Sequence, residues 1–452
     1  MLRFTKNFNC CKTVSCANFG ISESDSYIQK SERLGYLSTE CKLCGSNPPW
    51  INNELVQEVL AEKLEQQLGY KAVGCKKCSP YFFIDPIPAS KLHGFTSAGT
   101  QRKKCTQCGS VFTLSEYKNV SALKEVLGSV ISKKEIKLAI KESGLSARLY
   151  YFYLNKLAVI FSNFSRLNEQ KILNNEYLGM HSEGRLMTLS RQRGTYTLFT
   201  AEIESGYILL QTNNLTHKPV EQAFLYNESD NTIVTNSDAV SIEAVLLERY
   251  QSNLKRNHFE QLIVGELKPI AKCSAIYPDK VAYIHFQLLN AFTLNIGRHE
   301  HFIEHESTLR SAALMSSYSA IKNKCADVYF FLPLTGKKEK LLGKALGWWN
   351  DIWFSNEVGA FCPITCKLKD ASSFQLTRGD MIENYAQYLN KHINKNINSM
   401  QVIDNISEIY RALYNYCESE NGQSPACLLG VSDKVYHPEQ LLDEALQRIR
   451  SE

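Results

Sequence analysis

The chain has 452 residues, 44% hydrophobic and 21% charged, which is enough apolar material for about three domains of ~150 residues each. No run approaches the ~18 consecutive apolar residues of a membrane helix, so the sequence excludes an integral membrane protein. Residues 1–12 hold no apolar run before a cleavage site, so we expect no secretory signal and a cytoplasmic location.

Positive charge and cysteine are concentrated at the front of the chain. Residues 1–170 contain 23 Lys and Arg against 14 Asp and Glu, whereas the remainder is slightly acidic. Nine of the 15 cysteines lie within the first 108 residues. Because intracellular proteins rarely form disulfides, the cysteines indicate metal ligation. The basic front half indicates a polyanionic partner, of which DNA and RNA are the usual examples.

The front third is predicted to change from irregular structure to helices. Residues 1–113 are typical of loops, short strands and turns, with one helix over Asn53–Leu68. Apolar spacing, the Ser143-Gly144-Leu145 break and a Ser146 cap then predict three helices, near 120–127, at Lys133–Glu142 and from Ser146 to Phe164.

The rest of the chain is predicted to mix strands and helices. Three strands are expected at Arg185–Ser190, Thr195–Ile203 and Tyr207–Asn213, joined by glycine-containing turns. Mixed helix and strand follow to about residue 368, and the chain from Arg378 onward is predicted to be helical.

Cys-x-x-Cys pairs occur three times and predict structural zinc, because a tight turn between two thiolates supplies one edge of a tetrahedral site. We expect one site from Cys75, Cys78, Cys105 and Cys108. A second site is expected from Cys41 and Cys44 with Cys11 and Cys16, and Cys10 is an alternative to Cys11. Buried apolar cysteines or a redox pair are the alternatives, but a redox pair normally lies beside a βαβ unit, which is missing here.

Two basic segments follow these cysteines. Arg102, Lys103 and Lys104 lead into Cys105 and are suited to phosphate contact. The helices around Gly144 have helix-turn-helix spacing, and Arg148 and Lys156 are expected to face outward on the second helix. An ordinary pair of packed helices would show the same pattern.

The order of these motifs resembles the DNA-binding front end of bacterial transposases of the insertion-sequence-one kind. The most specific part is Ala98-Gly-Thr-Gln-Arg-Lys-Lys-Cys105, followed by Cys108 and Phe112. Downstream, Leu198–Leu209 looks like the second and third strands of that family's RNase H-like domain. Phe302–Arg310 looks like the helix that carries the family's last catalytic carboxylate, and Tyr414–Gly430 looks like the family's C-terminal end. The resemblance is strong over 75–165, moderate over 177–215 and 295–312, and thin elsewhere.

This resemblance implies three carboxylates that hold two Mg²⁺ ions for attack on phosphate. The third matches Glu304, and Asp279 is the candidate for the second. The opening strand should carry an aspartate, but His181-Ser182-Glu183 stands there. Glu183 would replace the aspartate only if a bulge turned it to the other face of the strand. His301 and His305 would share a face if this segment is helical, and we expect them to be solvated.

The resulting hypothesis is a multidomain α+β protein: an N-terminal zinc-binding region at 1–70, a zinc ribbon at 71–115, a helix-turn-helix at 116–170, a mixed α/β RNase H-like domain at 176–370 and a helical C-terminal region at 371–452. We expect a zinc-dependent protein that binds double-stranded DNA, is derived from a transposase and has a degenerate catalytic site. The alternatives are an active DDE-type transposase using Mg²⁺ and a zinc-ribbon scaffold for protein or RNA. A homo-oligomer is left open, and no membrane partner is expected.

Overall fold

The computed structural model describes residues 7–67, 75, 77–78, 88–113, 119–173, 175–190, 193–218, 241–262, 273–334, 340–347, 351–367, 376, 378–393 and 397–451. These residues form 12 helices and a large mixed sheet, which confirms the expected mixture of α and β structure. Within them, no helix has both the length and the apolar character required to cross a bilayer.

The front of the chain contains two small sheets and four helices. In chain order these are β1 Tyr27–Ser31, β2 Ser38–Cys41, α1 Asn53–Gln67, β3 Ser90–Phe95, β4 Gln101–Cys105, β5 Val111–Thr113, α2 Val120–Ile131, α3 Ile136–Ser143 and α4 Ala147–Glu169. All four predicted helices are present; α1 ends within one residue of its prediction, whereas α2 and α4 continue four and five residues beyond their predicted ends.

Local sequence explains where these helices begin and end. The Asn119 side chain caps α2 by accepting a hydrogen bond from the Ala122 amide, and Ser146 caps α4 by accepting from Leu149. Gly144 ends α3 with a φ of +65°, a conformation that glycine adopts without steric cost.

An eight-stranded sheet forms the centre of the molecule. The middle of the chain contributes β6 Tyr177–Ser190, β7 Arg193–Glu202, β8 Ile208–Asn213, β9 Leu215–Thr216, α5 Ile242–Leu254, β10 Ser274–Ala275, α6 Pro278–Thr293, β11 Arg298–Glu304, α7 Ser307–Ser316, α8 Tyr318–Lys322, β12 Ala326–Pro333, β13 Leu342–Leu346, β14 Asp351–Ser355 and β15 Gly359–Pro363. The strand order is β13-β14-β15-β12-β11-β6-β7-β8, and β11 runs parallel to both β6 and β12 while the other pairs are antiparallel.

Helices cover both faces of this sheet. The C-terminal elements are α9 Met381–His392, α10 Met400–Cys417, α11 Pro425–Leu428 and α12 Pro438–Ser451. Thr200 of β7 hydrogen-bonds His285 of α6, whereas its neighbour Phe199 contacts Tyr385 of α9. Successive strand residues point to opposite faces, so α6 and α9 lie on opposite sides of the sheet.

The N-terminal segment packs onto the central core. Phe8 contacts Tyr283 of α6 at 4.6 Å between ring centroids, and Phe19 contacts Tyr318 of α8 at 5.4 Å. One continuous apolar cluster joins this segment to the sheet and the C-terminal helices. Cys105 of the three-stranded β3–β5 sheet and the earlier Cys75 are buried, but neither is part of that cluster.

One predicted helix is wrong. Glu304 is the last residue of strand β11, and the helix that was expected to carry it begins only at Ser307. The segment pairs with a parallel strand on each side and four of its seven residues are buried, so burial on both faces of the sheet outweighs the helical spacing. His301 and His305 are accordingly buried rather than solvated.

A buried network of charges ties α4 and α10 to the sheet. The Glu169 carboxylate accepts hydrogen bonds from Arg166 at 2.5 Å, from Arg411 at 3.1 Å and from the Tyr207 hydroxyl at 2.9 Å. Arg411 also donates to Glu408 at 3.2 Å. Two arginines therefore balance two carboxylates in the interior, as buried charges require.

Candidate metal centres and acid site

The first cysteine group consists of Cys11, Cys16, Cys41 and Cys44, whose four sulfurs all lie within 4.8 Å of one another. The Cys11 and Cys44 sulfurs are 3.5 Å apart, and those of Cys16 and Cys41 are 3.9 Å apart. The Cys10 sulfur instead contacts Met315 Sδ at 3.2 Å in the core. Cys11, and not Cys10, is therefore the member of this group.

The second group brings together Cys75, Cys78, Cys105 and Cys108, again within 4.8 Å. Its sulfur separations repeat those of the first group, at 3.5 Å between Cys75 and Cys108 and 3.9 Å between Cys105 and Cys78. Both cysteine sets match the pairing expected from the sequence spacing. Among the described residues, no other set of three or more His, Cys, Asp or Glu side chains converges in this way.

One turn is used in both groups, and the repeat was missed at the sequence level. Cys41–Ser46 and Cys105–Ser110 both read Cys-x-x-Cys-Gly-Ser. Each glycine has a φ near +72° and donates its amide to the first cysteine's carbonyl, at 2.8 Å in one turn and 3.0 Å in the other. Each serine hydroxyl lies 3.2 Å from the second cysteine's sulfur. Comparing the two hexapeptides would have revealed this repeat.

Both groups fit a tetrahedral dication such as zinc. Zn–S bonds of ~2.3 Å place sulfurs ~3.8 Å apart in a tetrahedron, close to the separations observed. The thiols also compete for ionisation: the Ser110 hydroxyl lowers the pKa of Cys108 to about 6, and hydrogen bonding to Cys108 raises that of Cys78 to about 12. A bound dication would remove this conflict by stabilising all four thiolates.

The β3–β5 sheet separates its cations by face. Residues opposite one another in neighbouring strands share a face, so Lys91, Lys104 and Val111 lie together, with Arg102 two residues from Lys104 on the same side. Lys103 pairs with Leu92 and lies on the other face. The predicted triad of Arg102, Lys103 and Lys104 is thus divided, and Lys91 was overlooked because hairpin register was needed to find it.

The helical pair α3 and α4 presents a mixed surface. Arg148, in the first turn of α4, is exposed, whereas Lys156 is half-buried with its ammonium 5.4 Å from the Phe152 ring centroid. Tyr150 is buried and its hydroxyl is 2.7 Å from that of Ser129 in α2. Ala139 of α3 is buried as well.

The opening strand and β11 bring two of the three predicted carboxylates together. Ser182 is in register with Ile303, so the next residues, Glu183 and Glu304, are neighbours on one face of the sheet. Glu183 forms an ion pair with Arg185. Glu304 accepts from Arg249 of α5 at 3.3 Å and from the Gly184 amide at 3.3 Å.

Asp279 is not part of this pair. It lies in the first turn of α6, where its carboxylate pairs with Lys280 at 2.8 Å. The acidic residue that does approach is Glu383 of α9, whose carboxylate accepts from Arg185 at 3.4 Å. Sequence reasoning missed Glu383, because only the packing of α9 against β6 brings it near Arg185.

Ser182 faces away from the acid pair into a buried chain of hydrogen bonds. Its hydroxyl lies 2.8 Å from His301 Nε2 and 2.6 Å from Thr200, and Thr200 is 2.7 Å from His285 Nε2. His285 Nδ1 then meets Thr212 at 2.9 Å. The pairing of β6 with β7 is regular across this stretch, so Glu183 reaches Glu304 without the bulge that we expected it to need.

Burial keeps several histidines around this strand neutral. It lowers the pKa of His181 and His285 to about 3 and that of His299 to about 4. The unfolded chain binds these protons near pH 6.5, whereas the folded protein does not. Stability from these residues is therefore full above pH 6.5 and falls as the pH decreases toward 4.

We expect the thermal midpoint to fall steeply between pH 6.5 and 4. His181 tests the cause, because neither ring nitrogen has a partner and the ring packs edge-on against Phe331. His181→Phe should reduce the pH dependence by about one proton, or ~1.4 kcal/mol per pH unit. His437→Gln, at an exposed site, serves as the control. Identical slopes in wild type and His181→Phe, measured by calorimetry, would contradict this assignment.

The neighbouring carboxylates of Glu183 and Glu304 do not match the donor set that Mg²⁺ requires. Mg²⁺ needs near-octahedral oxygen ligands, commonly one or two carboxylates with water. Here Glu183 and Glu304 are each already paired with an arginine, and Asp279 lies elsewhere.

Comparison of this chain with protein-family models, with curated proteins and with solved structures finds no match.

Proposed function

We propose that this protein is a zinc-dependent double-stranded DNA-binding protein whose ribbon (the β3–β5 sheet with its cysteine group) contacts the phosphate backbone. The observation that carries the proposal is the cationic ribbon face, made up of Lys91, Arg102 and Lys104. A hairpin braced at its base by four clustered sulfurs holds these charges at fixed spacing. Fixed cations on a narrow surface suit the regularly spaced phosphates of a duplex.

The helices that follow supply a second contact region. Helix α4 is 23 residues long, carries the exposed Arg148 in its first turn and ends in the buried charge network at Glu169. Its exposed first turn corresponds to the part of a recognition helix that reads base edges. Because the last turn of α4 is anchored in the core, its first turn would contact DNA from a position that is fixed relative to the central sheet.

The central sheet supports a transposase-derived, RNase H-like origin. The strands expected as the opening, second and third strands are β6, β7 and β8, which form an antiparallel meander. Strand β11 then joins β6 in parallel and aligns Glu304 with Glu183. An acidic pair at the centre of a mixed sheet is consistent with descent from a nuclease-type site. The arginine pairing supports a degenerate catalytic site over the active alternative.

Replacing the cations of the ribbon face tests this function. In the Lys91→Ala/Arg102→Ala/Lys104→Ala variant we expect weaker binding to every duplex, because phosphate contacts carry no sequence information. The slope of log K against log salt should become shallower by about 2.7, roughly 0.9 for each phosphate that is no longer neutralised. Fluorescence anisotropy with labelled duplexes at several salt concentrations measures both quantities.

Two variants serve as comparisons. Lys103→Ala, on the opposite face of the same strand, should leave the salt slope nearly unchanged. Arg148→Ala should change which sequence is preferred, by ~1–3 kcal/mol if the guanidinium reaches a base edge. An unchanged slope in the triple variant would contradict the proposal, and tighter binding to single-stranded RNA than to duplex DNA would favour the scaffold alternative.

A further inference from the structure

The acid site, defined as Glu183, Glu304 and Glu383 with Arg185 and Arg249, contains its own counter-charges. The Arg185 guanidinium pairs with Glu183 through one nitrogen and lies 3.4 Å from the Glu383 carboxylate through another. Arg249 pairs with Glu304 at 3.3 Å. The two carboxylates at the centre are thus already neutralised by two arginines.

We propose that Arg185 is the resident cation of the acid site, so that the site binds a divalent cation only when Arg185 is removed. The Glu183 side chain is 5% exposed and that of Glu304 is 18% exposed, so few water molecules screen the charges. A dication added beside both arginines would give this half-buried site a net positive charge, which is unfavourable in a region of low polarity.

With Arg185 in place, the carboxylate donor atoms of the acid site do not all lie within 4.8 Å of one another; its removal would free Glu183 and Glu383 to turn toward Glu304. Glu183 and Glu304 are adjacent on one face of the sheet, and Glu383 faces the space that the guanidinium fills. His181, two residues before Glu183 on the same strand face, is fully buried and has no hydrogen-bond partner for either ring nitrogen. Carboxylate oxygens suit Mn²⁺ as well as Mg²⁺, so Mn²⁺ is a suitable probe ion for this site.

Titration of the zinc-loaded full-length protein with Mn²⁺ tests the proposal, with free Mn²⁺ measured by electron paramagnetic resonance. We expect the wild-type protein to bind no Mn²⁺ tighter than ~1 mM and Arg185→Ala to gain one site at least tenfold tighter. Adding Glu183→Gln to Arg185→Ala should abolish the gain. Arg298→Ala, which removes another arginine paired with two carboxylates but 53% exposed, should behave as wild type.

Two results would overturn this assignment. One is Mn²⁺ binding by the wild-type protein that is lost in Glu183→Gln or Glu304→Gln, because the arginines would then leave the site open. The other is a folded Arg185→Ala variant that gains no Mn²⁺ site. If circular dichroism shows that Arg185→Ala is unfolded, Arg185→Met keeps the aliphatic stem and takes its place, and the wild-type titration decides independently of any variant.

Discussion

Replacing Cys41 with serine is expected to lower the thermal midpoint of the whole protein by ~10 °C or more. Cys41 and Cys11 are completely buried, and the segment that they hold packs against the central sheet. The same segment carries Lys12, whose ammonium forms a buried ion pair with Glu260 at 3.1 Å. Losing the metal would release this segment and expose the core surface beneath it.

Cys105→Ser supplies the matched comparison, since it removes a buried sulfur from the ribbon's cysteine group. The ribbon lies outside the main apolar cluster, so the principal unfolding transition should move by less than ~2 °C. DNA affinity should nevertheless fall, because the cationic face loses its brace. Zinc content per chain should drop from about two to about one in both variants. Equal changes in the calorimetric midpoint would show that the two groups do not differ in their coupling to the core.

Local patterns in the sequence predicted the metal centres well, for a physical reason. A Cys-x-x-Cys turn places two sulfurs on one metal edge whatever the remainder of the fold does. Deciding between Cys10 and Cys11 required tertiary structure, because Cys10 differs only in pointing toward Met315 in the core. The division of the ribbon cations required the register of the β3–β4 hairpin, which also revealed Lys91.

The acid site was only partly predictable, because its residues meet through long-range pairing. Glu183 and Glu304 are brought together by two parallel strands that are far apart in the sequence. The residues around Glu304 were expected to form a helix, and Asp279 was the candidate for the second carboxylate that the family resemblance implies. The parallel register of β11 with β6 places Glu183 beside Glu304 without a bulge. The packing of α9 then brings Glu383 within hydrogen-bonding distance of Arg185. No local propensity encodes either contact.

Arg411→Met is expected to destabilise the protein by about 3–5 kcal/mol, because it leaves buried carboxylates without their cation. The Arg411 side chain is completely buried, and it bridges Glu169 of α4, Glu408 of its own helix and the Ile208 carbonyl of β8. Burial alone raises the pKa of Glu408. The positive charges of Arg411 and Arg166 together lower it by more, so the net pKa is lowered. The carboxylate therefore stays charged and would be costly to leave unpaired.

Urea unfolding monitored by circular dichroism measures this cost. Arg298→Met removes a 53% exposed arginine paired with Glu300 and Asp327, and should cost less than ~1 kcal/mol. Adding Glu408→Gln to Arg411→Met should recover part of the loss, because it removes one of the stranded charges. A loss in Arg411→Met no larger than that in Arg298→Met would mean that the network does not stabilise the fold. A large loss with partial recovery would establish that α4, whose first turn carries Arg148, is anchored to the central sheet through Glu169 and Arg411.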